Sequence, residues 1–215
     1  MKRGLLLFFI MGAILVSGCA NHAKIEMPVV ERVSSQNWQG KSFRQEIFYS
    51  QPEPGLFTGG QQQKLQPISE ARLSVASAEV LSGFSQFLSN QLPPNTYVVD
   101  DSTADYTVTV NMVAKDKMGP SYPDYEFWKT FFKGLATVGF GSFEYDIIAD
   151  FDIEYVLKDK KNNVFSKKYS VKDAVDHDKG RFEFNDKSYV YAAELLRKHI
   201  LITYSSFLKD ASVSM

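Results

Sequence analysis

The chain has 215 residues, 44% of them hydrophobic and 23% charged, with 24 lysines and arginines against 25 aspartates and glutamates. That near balance supplies no basic field for nucleic acid, and a single cysteine rules out an intramolecular disulfide. The chain opens with Lys2 and Arg3 and then an apolar run over residues 5–16, the layout of a signal peptide. The run, about a dozen residues, falls short of the roughly 20 that a helix needs to cross hydrocarbon. Residues 1–18 are therefore read as a removable signal.

The end of that segment, Val16, Ser17, Gly18 and Cys19, resembles the lipobox of bacterial lipoproteins. The resemblance implies that Cys19 is lipidated and becomes the first residue of the mature chain. It also implies, from Ala20 in the next position, anchoring at the periplasmic face of the outer membrane. Two or three acyl chains, at about 0.8 kcal/mol per buried methylene, exceed what stable anchoring needs.

Residues 19–42 are polar and aperiodic and read as a flexible tether, and residues 43–215 have the size of a single domain. Residues 43–49 predict a first strand, followed by a Pro/Gly/Gln-rich loop. A helix is predicted from an N-cap at Ser69 up to Pro93 and Pro94, with Leu73, Val80, Leu81, Phe84, Phe87 and Leu88 on one face. Strands follow over 97–99 and 105–113, the second turning Tyr106, Val108, Val110 and Met112 to one side.

An aromatic insert occupies about 114–144. Helical spacing there gathers Phe127, Trp128, Phe131, Phe132, Leu135 and Val138 opposite Glu126, Lys129, Thr130 and Lys133. Phe127, Trp128, Phe131 and Phe132 are the candidate partner or membrane contacts, and a flap buried on its own domain is the other reading of this insert.

The clearest strand spans 145–157, apolar at every odd position, with Asp146, Asp150, Asp152 and Glu154 on the other face. Carboxylates two apart on a strand suit a hard cation, but the next strand, 164–172, argues for a different use. Pairing Leu157 with Phe165 sets Glu154 opposite Lys168 and Asp150 opposite Lys172, as solvent-facing ion pairs. Residues 173–180 read as a polar loop: Asp176, Asp178 and Gly180 resemble a calcium loop without its closing glutamate. A last helix over 186–208 carries a stripe of Ala193, Leu196, Ile200, Thr203 and Phe207, widened by Leu195, Leu201 and Ile202.

This order predicts an α+β fold, a mostly antiparallel sheet with two long helices packed on one face. With the lipobox and the Ala104, Asp105, Tyr106, Val108, Val110 strand motif, it resembles the envelope-assembly lipoproteins of the LptE type and the auxiliary lipoproteins of ABC-type lipid transporters. The resemblance implies a non-enzymatic accessory or scaffold subunit with an envelope protein partner. A carrier sheltering a lipid between insert and sheet is the alternative. No nucleophile elbow, phosphate-binding loop or metal-spaced histidine pair is present, so no catalytic residue, metal or cofactor is expected.

Overall fold

The computed structural model describes residues 21–54, 60–126, 130, 132, 143–179 and 187–215. It is an α+β fold around one mixed, mostly antiparallel sheet. The strands are β1 (Ser42–Ser50), β2 (Gln66–Pro67), β3 (Tyr97–Val98), β4 (Tyr106–Ala114), β5 (Ser121–Tyr125), β6 (Phe143–Asp159) and β7 (Val164–Lys179). The helices are α1 (Val75–Ser82), α2 (Phe84–Gln91) and α3 (Ser188–Ser214).

β6 and β7 form the spine. The odd positions of β6 from Ile147 to Leu157 are apolar and buried; on the same face of β7 Val171 is buried and Phe165, Tyr169 and Val175 are half-buried. Period-two alternation with one face covered leaves a single acceptable register: Leu157 pairs Phe165, Glu154 pairs Lys168 and Asp150 pairs Lys172. The turn between them is closed by Asp159, whose carboxylate accepts from the Lys161 and Asn163 N–H groups, with Asn162 at φ 65. β7 does not end at residue 172. It runs on to Lys179, so Asp173, Asp176 and Asp178 lie in a strand, where the sequence suggested a loop. The backbone over residues 176–178 is then extended, without the wrapped loop through which a calcium loop brings its ligands around one ion.

Along its other edge β6 pairs antiparallel with β4 and, further on, with β5. β4 and β5 share one lane, interrupted by residues 115–120, where Gly119 adopts φ +113 and approaches Ser74 and Ser77 at the start of α1. Part of the stretch read as insert is thus sheet. β1 runs parallel to β4, which requires a crossover of a dozen or more residues; α1 and α2 supply it.

The single helix expected over this crossover is two eight-residue helices broken at Gly83, and it starts at residue 75. Ser74 caps it in place of Ser69, accepting from the Ser77 N–H at 3.3 Å. Residues 66–71 are taken up by β2 and a turn. Glycine costs about 1 kcal/mol in a helix interior, and the bend turns Phe84 and Leu88 into the core.

α3 packs on β5, β6 and β7 and against α1. Its stripe holds for Ala193, Leu196, Ile200, Thr203 and Phe207, all buried, whereas Ile202 is exposed. Tyr155, Tyr204 and Phe207 meet at 5.0–6.2 Å between ring centres. Thr203 gives its only proton to the His199 carbonyl, so the Tyr155 hydroxyl donates to Thr203 at 2.9 Å. Burial raises the Tyr155 phenol far above its ordinary pKa.

Residues 21–41, read as a tether, lie along the body. Trp38 is fully buried against Phe43 and Tyr106, Val33 donates its N–H to the Gln91 carbonyl at 2.7 Å, and Ala23 donates to Nδ1 of buried His177. The aperiodic segment is held by separate contacts, which no periodicity reports.

Candidate functional site

Two places concentrate unusual chemistry. The first is the end of the sheet where β5, β6 and β7 meet. Asp124, Asp146 and Asp176 are aligned across the three strands, and Glu144 lies opposite Asp178. A hollow of about 310 Å³ opens there, lined by Asn21, Glu144, Tyr145, Asp146, Asp176 and Asp178. Burial first, then the fields of Asp116, Asp124 and Asp150, push the Tyr122 phenol up to about 12. Among the described residues no group of three or more histidines, cysteines or carboxylates is placed to hold a metal ion.

The opposite face of this end is aromatic. His177 lies 4.7 Å from Tyr191, 6.3 Å from Tyr145 and 5.5 Å from His22, ring centre to ring centre. Asn21 accepts the Asp178 N–H at 2.8 Å. The foot of the insert is here too: Glu126 donates its N–H to the Glu144 carbonyl, Thr130 Oγ1 accepts from the Glu144 N–H, and Tyr125 stands 5.4 Å from Tyr145.

The second place is the outer edge of β1. β3 pairs only with Ser42 and Phe43, and β2 only with Phe48 and Tyr49, so among the described residues Arg44, Gln45, Glu46 and Ile47 have no strand on that side. The Phe43 carbonyl accepts from Val99 at 2.8 Å and the Ile47 carbonyl from Ile68 at 3.0 Å. Residues two apart turn their main-chain groups to the same edge, so the Gln45 N–H and C=O point into the gap. Over the gap lies a groove of about 440 Å³ whose walls include Ile47, Ile68, Leu73, Leu81 and Val98, with Asp100 at its rim. The Gln45 side chain lines it, and its buried Nε2 has no partner among the described residues.

Of the sequence-derived site residues, Cys19, Phe127, Trp128 and Phe131 lie outside the described residues. Phe132 is exposed. Glu154 and Lys168 face each other in register without forming the expected ion pair. Glu154 accepts instead from Asn111 Nδ2 at 3.1 Å, and Lys168 approaches Asp152 diagonally at 3.5 Å. Lys115, at 2.6 Å, is the closer partner of Asp152, and its hydrogen bond is the main cause holding that carboxyl below the usual range. His199 bonds Asp173 at 2.9 Å on the flank of α3. Gln45 was legible in principle, as the one polar residue in the inward series Phe43, Gln45, Ile47, Tyr49.

No family model matches the chain, and no curated protein matches it. Solved structures do. A DUF330-family protein from Xanthomonas campestris aligns at 12% identity over 89% of this chain and 99% of its own, with a TM-score of 0.38. A neuraminyllactose-binding hemagglutinin homolog from Helicobacter pylori aligns at 9% identity over 88% and 95%, with a TM-score of 0.43. At these identities and TM-scores the likeness carries no argument about what this chain does.

Proposed function

We propose that the protein is a non-enzymatic lipoprotein, tethered through Cys19 at the periplasmic face of the outer membrane, that serves as an accessory or scaffold subunit of an envelope complex. The lipobox residues Val16, Ser17, Gly18 and Cys19 support the tether. The observation that carries the scaffold reading is the position of Asn21 beside Glu144 and Tyr145, at the foot of the insert. Two residues span at most about 7 Å, so an anchor at Cys19 holds the insert end of the domain towards the bilayer. The β1 edge then presents its groove to a partner. Among the described residues no helix is long and apolar enough to cross a membrane. In this reading the bent α1–α2 pair and α3 cover the same face of the sheet, which is supported by their shared core of Val80, Leu81, Phe84, Leu196, Ile200 and Tyr204.

Labelling cells with a radioactive fatty acid tests the tether: wild type takes up label and Cys19→Ser takes up none, since no other thiol exists. Label on the Cys19→Ser chain would end the proposal. The groove favours a second reading, a carrier of an apolar ligand. Extraction of the purified chain followed by mass spectrometry separates the two, because a carrier yields a stoichiometric lipid besides the anchor.

A further inference from the structure

We propose that the gap in the outer edge of β1 is a docking site for a short extended segment of a partner polypeptide, which adds as a strand between β3 and β2. Three observations converge on this occupant. The edge is already used by strands at both ends, parallel by β3 and antiparallel by β2, and between them, among the described residues, Arg44, Gln45, Glu46 and Ile47 have no strand partner, with the Ile47 carbonyl alone taken by the Ile68 N–H. The vacancy turns a main-chain donor and acceptor of Gln45 outward, the pattern that recruits an added strand. The buried Gln45 Nε2 above it is a donor with no acceptor among the described residues.

An acyl chain would fill the apolar walls but would satisfy none of these groups; a peptide satisfies all of them. At about 3.3 Å per residue the gap is roughly 13 Å long, so the guest pairs over three or four residues and is a chain end or loop apex, not a long strand. Alternate side chains of such a segment point into the groove between Ile47, Ile68, Leu73 and Leu81. Asp100 at the rim favours a lysine or arginine beside the apolar residues. The inference rests on the scaffold reading for a polypeptide partner, but not on the anchor.

The test pans a random hexapeptide library against the full chain in detergent and against Ala78→Trp. Ala78 is exposed and lines the groove, so the indole fills it from outside the core. Ser82→Trp, at another exposed lining position, serves if Ala78→Trp lowers the melting temperature. Peptides with alternating apolar residues and a cationic flank are expected to bind wild type at least tenfold more tightly than the filled variant. N-methylation of the pairing amide should cost at least tenfold, and the Gln45 amide should become protected from hydrogen exchange. The proposal is overturned if no peptide distinguishes wild type from the filled variants, or if the N-methylated peptide binds equally. It is also overturned if dodecanoate or a second copy of the chain occupies the groove in place of peptide. Failure of peptide binding with fatty-acid label still on Cys19 would remove this inference and leave the tether standing.

Discussion

Replacing Trp38 by alanine asks whether the segment before β1 belongs to the folded domain. The indole is fully buried, edge-on to Phe43 at 5.5 Å and tilted on Tyr106 at 6.1 Å. An aromatic side chain buries about 150–250 Å², which at about 25 cal/mol per Å² is worth roughly 4–6 kcal/mol. Against this stands the buried Nε1, which has no hydrogen-bond partner among the described residues, a penalty of about 1–3 kcal/mol that alanine removes. The expected net loss is about 3 kcal/mol. Urea unfolding of the full chain in detergent should show an unchanged slope and a midpoint lower by about 1–1.5 M, for a slope of about 2–3 kcal/mol/M. The only other tryptophan is Trp128; in a Trp128→Phe background the fluorescence of Trp38 should be blue and shielded from acrylamide. A loss within about 0.5 kcal/mol, the range of surface substitutions, would mean that residues 21–41 are a tether after all.

Asp105 joins the starts of β1 and β4 to the β6–β7 turn. Its carboxylate accepts from the Ser42 N–H and hydroxyl and from Lys160, each at 3.0 Å, which holds it down at about 2. A depressed carboxyl stabilises the fold above its unfolded pKa of about 3.9 and loses that contribution as pH falls towards 2. The melting-temperature gap between wild type and Asp105→Asn should therefore be open at pH 7 and nearly closed at pH 2; a constant gap would refute this. Tyr155→Phe should cost about 0.5–1.5 kcal/mol by chemical denaturation, the worth of its hydrogen bond to Thr203, and a neutral outcome would remove that bond from the core's account. A double-mutant cycle on Glu154 and Lys168 should give coupling near zero, and one on Lys115 and Asp152 up to about 1 kcal/mol; the reverse order would contradict the side-chain pairing.

What could be read from the residues alone follows from how each element is buried. The 145–157 strand and its register with 164–172 were legible because one face is covered, and a one-residue slip would bring Asp152 and Glu154 inside. The far half of β7 was not, since Asp173, Asp176, His177 and Asp178 have the composition of a loop. It is a strand because β6 is long enough to template it and because His177 is buried under Tyr145 and Tyr191. Asp105 belongs to a motif noticed as a strand pattern, yet its work is to fasten two parallel strands whose adjacency only the crossover creates.

The edge gap shows the same limit most sharply. Whether β1 is paired along its whole length depends on where β2 and β3 stop, and those two-residue strands are set by tertiary placement, not by a local pattern. Gln45 is the local trace of that vacancy. A polar side chain on an apolar inward face is ordinarily matched by a partner inside the fold. Here, among the described residues, its amide nitrogen is unmatched where the neighbouring main chain has no strand beside it. An unsatisfied buried donor destabilises by about 1–3 kcal/mol, a cost the chain need not carry, since leucine or methionine would fit the apolar series. A bound polypeptide segment that satisfies the donor converts that cost into affinity, which is the physical case for the vacancy as a binding site and not a packing defect.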